Sequence, residues 1–418
     1  MSTAVVSNAF SGGRVRVPPS KSHLHRLLIG AALCGGTQRV AGLSHAADVE
    51  ATARCLTALG ARIRSDETGY TVTPPQGVPP CNAVADCGES GSTLRFLLPV
   101  AAALGREITF TGAPRLGERP VRDLTDCLSA HGVSVSSDFP YRVSGRLTPG
   151  TFTVTGGVSS QFITGLLLAL PLLTGNSELV VTGPTVSRPY IEITLDVLDA
   201  FGIAVSKTPT GFAIPGGQRF CAAAPLIADG DWSCAAFWLV AGAIRAPVTL
   251  AGLDTASRQG DKRVLDLISA AGAHVHTGKD GICVSPAPLS AFAADVCAMP
   301  DAVPALAVLA AYCRGTSSFT GVERLRDKES DRLAGVIDML TALGIEARYD
   351  GAALRVTGGT PSGGTVAGRN DHRLVMAGAV AALAATGDVT VTDAHAAAKS
   401  YPAFFAELRT LGGHVHGI

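Results

Sequence analysis

A short pattern of apolar and polar residues occurs six times along the chain. In each copy an amphipathic segment ends at a glycine, and residues that alternate between apolar and polar follow directly. The glycines are spaced 68 to 72 residues apart and are Gly60, Gly132, Gly202, Gly272, Gly344 and Gly412. Glycine commonly follows the last turn of a helix because it adopts the left-handed backbone conformation. We therefore predict six copies of one unit, each with a helix ending at this glycine and a strand after it.

Each unit is predicted to contain a strand, a helix, a strand, a second helix and a two-stranded hairpin. In the first unit this predicts strands at 14–17, 37–41, 61–65 and 69–73 and helices at 22–33 and 48–59. The later first helices are predicted near 91–104, 159–173, 231–244, 301–313 and 372–386, and the later second helices near 119–131, 190–201, 258–271, 329–343 and 400–411. In the sixth unit the chain stops after one hairpin strand, so we expect residues 3–8 to supply the other.

The first helices are apolar nearly all round, as Phe96–Leu104 and Ala302–Ala311 show. Such helices belong inside a fold, covered by sheet. We therefore predict an α/β protein with two inside-out α/β barrels, each built from three βαβαββ units. The chain should cross between domains near Pro18–Ser20 and Asp229–Asp231. This gives one domain from 1–18 and 230–418, a second from 19–229, and a cleft between them that holds the active site.

Charge and composition narrow the class of ligand. The 34 basic and 34 acidic side chains cancel, which argues against nucleic-acid and anionic-membrane partners and favours a small anion bound in a local basic site. No apolar run reaches the length that spans a bilayer, and no secretory signal opens the chain. The ten cysteines, including Cys81, form no CxxC pair and are interpreted as reduced core thiols. We expect a cytoplasmic monomer.

Cations accumulate where the predicted helices begin. Serine, aspartate and proline at these positions have an ordinary explanation as helix caps. Cations do not, because they oppose the positive end of the helix dipole. If these helix starts face one cleft, they form a site for a ligand with several negative groups. The cations are Lys21, Arg26, Arg119, Arg332, Arg373 and Lys399. Asp301 and Glu329 are the candidate acids for proton transfer, with capping and a solvated charge cluster as the respective alternatives.

Nine short motifs, in order along the whole chain, resemble those of the 5-enolpyruvylshikimate-3-phosphate synthase family. They are Pro19–Ser22, Glu89–Arg95, Gly117–Pro120, Ser159–Gln161, Ser187–Tyr190, Pro300–Asp301, Asp327–Arg332, Asp371–Arg373 and Lys399–Pro402. The resemblance implies the enolpyruvyl transferase fold, with three βαβαββ units per domain. It also implies transfer of the enolpyruvyl group of phosphoenolpyruvate to the 5-hydroxyl of shikimate 3-phosphate, with release of phosphate and no metal or organic cofactor.

The resemblance also implies roles for individual residues. Shikimate 3-phosphate would be bound by Lys21, Ser22, Arg26, Ser159, Ser160, Gln161, Ser187, Tyr190, Asp301 and Lys328. Phosphoenolpyruvate would be bound by Lys21, Gly91, Arg119, Gln161, Arg332, Arg373 and Lys399. Asp301 would take the proton of the 5-hydroxyl. Glu329 would help deliver and remove the methyl proton, with Lys21 and Lys399 as competing candidates for that second role.

Two positions depart from the family pattern, and two other functions compete. Glu89 and Arg324 stand where some members have asparagine, so the resemblance implies no side-chain contact at these two positions. The nearest rival is the enolpyruvyl transferase that acts on UDP-N-acetylglucosamine. That enzyme typically has Lys-Asn where this chain has Lys21-Ser22, and a cysteine-bearing loop that is not evident beside Arg119. A rival of another class is a non-catalytic anion-binding repeat protein, which would need no acids.

Overall fold

The computed structural model describes residues 2–76 and 82–418. The chain forms two compact units: residues up to Pro18 together with Gly230–Ile418, and Pro19–Asp229. We call them the split unit and the continuous unit. Each has its own hydrophobic core.

The strands are short, and most have three to six residues. In chain order they are β1 Thr3–Val6, β2 Gly13–Arg16, β3 Gln38–Ala41, β4 Arg62–Asp66, β5 Gly69–Thr73, β6 Ala83–Asp86, β7 Ile108–Thr111, β8 Val133–Val135, β9 Tyr141–Gly145, β10 Thr151–Thr155, β11 Ser177–Thr182, β12 Ser206–Thr208, β13 Gly211–Ile214, β14 Leu226–Ile227, β15 Val248–Ala251, β16 His274–Gly278, β17 Gly281–Ser285, β18 Ala293–Asp295, β19 Thr316–Thr320, β20 Glu346–Tyr349, β21 Ala353–Thr357, β22 Gly364–Val366, β23 Val389–Thr392 and β24 Val415–His416.

The α-helices lie between these strands, and short 3-10 helices accompany them. The α-helices are α1 Lys21–Leu33, α2 Ala47–Ala58, α3 Gly91–Ala103, α4 Pro114–Glu118, α5 Arg122–Ser129, α6 Ser160–Ala169, α7 Arg188–Ala200, α8 Trp232–Ile244, α9 Val264–Ala271, α10 Val303–Ala311, α11 Arg332–Ala342, α12 His372–Ala382 and α13 Phe404–Thr410. The 3-10 helices are Leu170–Leu172, Gly260–Arg263, Glu323–Asp327 and Ala394–Lys399.

Within the described residues, six four-stranded sheets share one topology, which confirms the repeat. In the continuous unit the orders are β14-β3-β5-β4, β6-β7-β9-β8 and β10-β11-β13-β12. In the split unit they are β16-β17-β15-β2, β18-β19-β21-β20 and β22-β23-β1-β24. In β10-β11-β13-β12 the first pair is parallel, from Thr151 opposite Glu178 to Thr155 opposite Thr182, and the later pairs are antiparallel.

Residues near the start of the chain complete the sixth sheet, as predicted. Strand β1 lies between β23 and β24 and is antiparallel to both. Thr3 is opposite Thr392, and Val6 is opposite Val415. Both ends of the described chain therefore belong to the split unit.

The prediction that residues 14–17 belong to the first unit's sheet is wrong. Strand β2 pairs in parallel with β15 in the fourth sheet, and β14 takes the corresponding place beside β3. The cause is where the chain changes unit. Strand β2 precedes the crossing at Pro18, and β14 precedes the return at Asp229. Each strand therefore pairs within the unit that the chain is about to leave.

The first helices are buried, as their all-round apolarity predicts. In α8 and α12 almost every residue is buried, including Trp232 and Trp238 in α8. Truncating either tryptophan would cost about 3 to 5 kcal/mol, because the packed surroundings cannot collapse into the cavity.

Several predicted helix starts are too early. Helix α5 begins at Arg122 rather than near residue 119, because Pro114–Glu118 forms a separate helix. In the segment predicted at 258–271, α9 begins only at Val264, after the 3-10 helix Gly260–Arg263, and in the segment predicted at 329–343, α11 begins at Arg332. The segment predicted at 400–411 contains only α13 from Phe404, because the preceding residues form the 3-10 helix Ala394–Lys399 and a turn at Pro402.

The cysteine prediction is partly wrong. Nine described cysteines are free thiols, and six of them are buried. Cys221, however, is exposed, and Cys283 and Cys297 are half-buried. Cys81 lies outside the described residues. Across the helices of the described ranges, none has the length and apolar character needed to cross a membrane.

Candidate active site

In the continuous unit, side-chain bonds gather the starts of five helices. Ser20, Ser90 and Ser159 cap α1, α3 and α6 through their hydroxyl oxygens. The amide of Gln161 donates to Ser92 Oγ at 2.9 Å, which joins α6 to α3. Contacts of Lys21 with α2 and of Arg26 with α7 add the remaining two helices. Several unpaired N–H groups and positive dipole ends therefore lie at one end of this unit.

Lys21 is buried in the first turn of α1 and paired with a carboxylate that the sequence reasoning missed. Its Nζ lies 2.8 Å from Oδ2 of Asp48, in the first turn of α2. Each side chain is only 11% exposed. The sequence signal for Asp48 was weak, because an acid in the first helical turn is explained by the dipole alone.

Arg26 joins three helices. Its Nε donates to Thr194 Oγ1 at 2.8 Å, and its Nη2 donates to the carbonyl of Tyr190 at 3.0 Å and to Thr164 Oγ1 at 3.3 Å. Its Nη1 donates to the carbonyl of Ser22. These bonds occupy four of the five N–H groups of the guanidinium. The fifth, on Nη1, is the one that could serve a ligand.

Gly91 leaves room for Arg119. A Cβ atom at position 91 would lie 2.7 Å from Nη1 and 2.9 Å from Cζ of Arg119. The guanidinium therefore lies directly over the first residue of α3, where backbone N–H groups are unpaired. Charge and helix dipole together make this a place for an anion.

Arg95 is a second residue that the candidate list lacked. Its Nη1 donates to Oε1 of Gln161 at 2.6 Å, and its Nε and Nη2 both donate to the carbonyl of Pro120, at 3.2 and 2.6 Å. The side chain is buried over the ring of Phe162. It thereby fixes the side chain of Gln161 and the backbone next to Arg119.

The predicted serines lie at the starts of α6 and α7. Ser159 Oγ accepts from the backbone N–H of Gln161 at 3.2 Å, and Ser160 is buried beside it. Ser187 is buried and has a φ of 51° in the left-handed region. That conformation is costly for a residue with a Cβ and is concentrated at functional sites. Tyr190 is half-buried in the first turn of α7.

In the split unit, Arg332 is the centre of a network that we call the arginine–carboxylate cluster. Its Nη2 donates to Glu329 at 2.6 Å, its Nη1 to Asp301 at 2.9 Å, and its Nε to Asp371 at 2.9 Å. Burial disfavours the charged guanidinium, but the three carboxylates outweigh this and raise the pKa of Arg332 above its usual range. The alternative that Glu329 belongs to a solvated cluster is wrong, because its side chain is only 16% exposed and is paired.

Asp301 faces three cations. Its carboxylate lies 2.9 Å from Arg332, 3.3 Å from Lys328 and 3.7 Å from Arg373. The alternative that Asp301 caps the following helix is wrong, since α10 begins at Val303 and has no side-chain cap. The side chain keeps 20% of its surface exposed, so a bound hydroxyl group could reach it.

Lys328 and Arg373 respond differently to burial. Burial lowers the pKa of Lys328, although the charge of Asp301 partly offsets this. For Arg373, burial also disfavours the charge, but the neighbouring Cys234, Asp301 and Asp231 prevail and raise the pKa. Arg373 is therefore a permanent cation beside Asp301, whereas Lys328 is more easily deprotonated than an ordinary lysine.

Lys399 ends the 3-10 helix Ala394–Lys399 and donates to the carbonyl of Asn370. Asn370 and its neighbour Arg369 both have a φ of 51°, directly before the Asp371 cap of α12. Two consecutive left-handed residues are strained. They bring the buried Lys399 to the turn that precedes His372 and Arg373.

Asp261 is a buried carboxylate that the sequence reasoning missed. It accepts from Ser233 Oγ at 2.9 Å. Burial, followed by the negative charge of Asp301, raises its pKa to about 6. Among residues 2–76 and 82–418, no group of three or more histidine, cysteine, aspartate or glutamate side chains could hold a metal ion.

The comparisons with known proteins agree over nearly the whole chain. The model of the family described as EPSP synthase (3-phosphoshikimate 1-carboxyvinyltransferase) matches residues 9–408. A 3-phosphoshikimate 1-carboxyvinyltransferase from Clostridium kluyveri is 38% identical over 408 residues, covering 96% of each chain. One from Halobacterium salinarum is 37% identical and covers 99% of this chain and 100% of its own. The solved EPSP synthase of Acinetobacter baumannii shares the fold, with a TM-score of 0.83, 24% identity and full coverage of both chains.

Proposed function

Since the chain belongs to the EPSP synthase (3-phosphoshikimate 1-carboxyvinyltransferase) family, we propose that it transfers the enolpyruvyl group of phosphoenolpyruvate to the 5-hydroxyl of shikimate 3-phosphate. Phosphate is released. The observation that carries the proposal is the surroundings of Asp301, a partly exposed carboxylate held by Lys328, Arg332 and Arg373. A protein that only bound anions would need no acid for proton transfer.

Shikimate 3-phosphate is assigned mainly to the continuous unit. Its 3-phosphate is placed on Ser159, Ser160 and Ser187, at the starts of α6 and α7, where hydroxyl and backbone donors suit an anion. Its carboxylate is placed on Ser22 and the remaining N–H of Arg26. The ring is assigned to Gln161 and Tyr190, while Lys21, Lys328 and Asp301 complete the set.

Phosphoenolpyruvate is assigned to the seven residues that the family resemblance implies. Its phosphate is placed on Gly91, Arg119, Lys21 and Lys399, with Gln161 beside them. Its carboxylate is placed on Arg332 and Arg373, because a guanidinium matches a carboxylate with two parallel donors.

The acids divide the proton transfers. Asp301 accepts the proton of the 5-hydroxyl as the oxygen attacks, and the neighbouring cations stabilise its ionised form. Glu329 delivers a proton to the methylene carbon to form the methyl group, and later removes a proton from it as phosphate leaves. Lys21 and Lys399 are the competing candidates for this proton transfer. Fixed cations stabilise the charge that develops in the tetrahedral intermediate.

The acceptor test separates this proposal from its nearest rival. The purified protein is incubated with phosphoenolpyruvate and either shikimate 3-phosphate or UDP-N-acetylglucosamine, and products are identified by mass spectrometry. We expect an enolpyruvyl adduct with shikimate 3-phosphate alone. An adduct with the nucleotide sugar alone would replace the proposal by the rival function.

The proposal also covers the setting of the reaction. We infer that the protein works as a cytoplasmic monomer without a metal or organic cofactor, and without nucleic-acid or membrane partners. Its balanced charge supports the absence of nucleic-acid and anionic-membrane partners. Sedimentation and activity after treatment with a chelator test the monomer and the absence of a metal.

A further inference from the structure

The ion pair between Lys21 and Asp48 keeps a buried cation at a helix start, where it is otherwise disfavoured. A lysine in the first turn of a helix opposes the dipole, and burial opposes its charge further. Asp48 offsets both effects from 2.8 Å. In the first turn of α2 its own negative charge is favourable. The carboxylate is turned toward Lys21, and α2 has no side-chain cap at all.

The position of Asp48 is set independently of Lys21. One turn further along α2, Thr52 bonds to Nδ1 of His25 at 2.6 Å and to Oγ1 of Thr93 at 2.7 Å. Thr93 also donates to the carbonyl of Asp48 at 3.4 Å. These buried bonds tie α2 to α1 and to the start of α3.

His25 in this frame adds no competing charge. Burial, and then the charges of Lys21 and Arg26, lower its pKa well below the usual histidine value. The ring is therefore neutral near pH 7. The frame of His25, Thr52 and Thr93 is therefore uncharged, and Asp48 contacts Lys21 directly.

We propose that Asp48 is a positioning residue that holds the ammonium group of Lys21 where the substrates meet it. The inference rests on the proposed function, which assigns Lys21 to both substrates and to proton transfer. Asp48 itself contacts no substrate and acts through Lys21. Without its carboxylate, the ammonium loses a charge-assisted hydrogen bond and samples other rotamers.

The kinetic test compares Asp48→Asn, Asp48→Glu and Glu50→Gln. Asp48→Asn should lower kcat/KM about 10- to 100-fold, as expected for loss of one charge-assisted contact at a reacting group. Asp48→Glu keeps the charge and should recover part of the loss. Glu50→Gln is the matched control, because Glu50 lies on the same helix but lines a separate pocket of about 370 Å³, and it should match wild type.

A double-mutant cycle separates positioning from structure. Calorimetry measures shikimate 3-phosphate binding by wild type, Asp48→Asn, Lys21→Ala and the double variant. If Asp48 acts through Lys21, Asp48→Asn weakens binding in the wild-type background and has no further effect in Lys21→Ala. An equal loss in both backgrounds, or Asp48→Glu no better than Asp48→Asn, overturns the proposal.

Two other results also decide the proposal: a variant that does not fold, and a wild type that turns over no substrate. If Asp48→Asn does not fold, Asp48→Glu takes its place in the binding cycle: a loss of shikimate 3-phosphate binding confined to the wild-type background supports positioning, and an equal loss in both backgrounds overturns it. If wild type turns over no substrate, the proposed function fails. The binding cycle then still reports whether Asp48 acts through Lys21.

Discussion

Arg332 and Asp371 are joined by two parallel hydrogen bonds, from Nε to Oδ2 at 2.9 Å and from Nη2 to Oδ1 at 3.2 Å, and neither side chain is exposed. Asp371 also caps α12 through the N–H of Arg373 and accepts from Ser330. The same carboxylate therefore fixes a helix start and orients a guanidinium that we assign to phosphoenolpyruvate.

Asp371→Asn should destabilise the protein by about 3 to 5 kcal/mol, because it leaves part of a buried cation uncompensated. Asparagine still caps a helix, so the lost free energy of unfolding reports the loss of the carboxylate charge that pairs with Arg332. The control is Asp331→Asn, which changes the cap of α11 and should cost less than about 1 kcal/mol. Denaturant unfolding compares the two, and equal losses would contradict the assigned importance of the Arg332 pair.

Lys21→Ala should reduce turnover by about 100-fold or more, because it removes a cation from the reacting groups. The fold should survive with a modest fall in melting temperature, since Asp48 loses its partner but keeps some exposure. Lys262→Ala, which removes a lysine that donates to the carbonyl of Thr255, is the charge-matched control. A collapse of melting temperature without a specific loss of turnover would make Lys21 structural.

Ser159→Ala combined with Ser160→Ala should raise KM for shikimate 3-phosphate far more than KM for phosphoenolpyruvate. The phosphate loses two hydroxyl donors, and α6 loses its cap, worth about 1 kcal/mol. Steady-state kinetics with each substrate varied gives both constants. Equal increases would place the 3-phosphate elsewhere.

Asp261 makes stability depend on pH. Its pKa is raised from 3.8 to about 6 in the folded protein, so the unfolded chain releases this proton first as pH rises. Stability is therefore lost as pH rises from about 4 through about 6, by about 3 kcal/mol at most. Asp261→Asn should remove this loss, so that the variant gains on wild type across that window. Calorimetric melting at several pH values measures the difference, with exposed Asp266→Asn as control; a pH-independent difference would contradict the assignment.

The periodic features of the fold were predictable from the sequence. The residue after a helix often adopts a left-handed conformation, which glycine adopts most easily, so glycines such as Gly60 and Gly272 marked the helix ends. The buried first helices followed from their apolar residues. The place of β1 followed from counting the strands of a six-fold repeat.

Pairing between distant segments was not predictable in the same way. Strands β2 and β14 each have an ordinary strand pattern, and nothing local shows which sheet receives them. Asp48, Arg95 and Asp261 were missed for a related reason. A single acid or arginine on a helix has a common solvent-exposed explanation. Only the fold shows that Asp48 bonds to Lys21, that Arg95 bonds to Gln161, and that Asp261 is buried near the charge of Asp301.

The most direct test of the central claim is a phosphate-release assay with phosphoenolpyruvate and shikimate 3-phosphate, repeated with each substrate omitted. We predict release from the complete mixture and none when either substrate is missing, because phosphate leaves only after the 5-hydroxyl has added. No release from the complete mixture, or equal release without shikimate 3-phosphate, would contradict enolpyruvyl transfer to that acceptor.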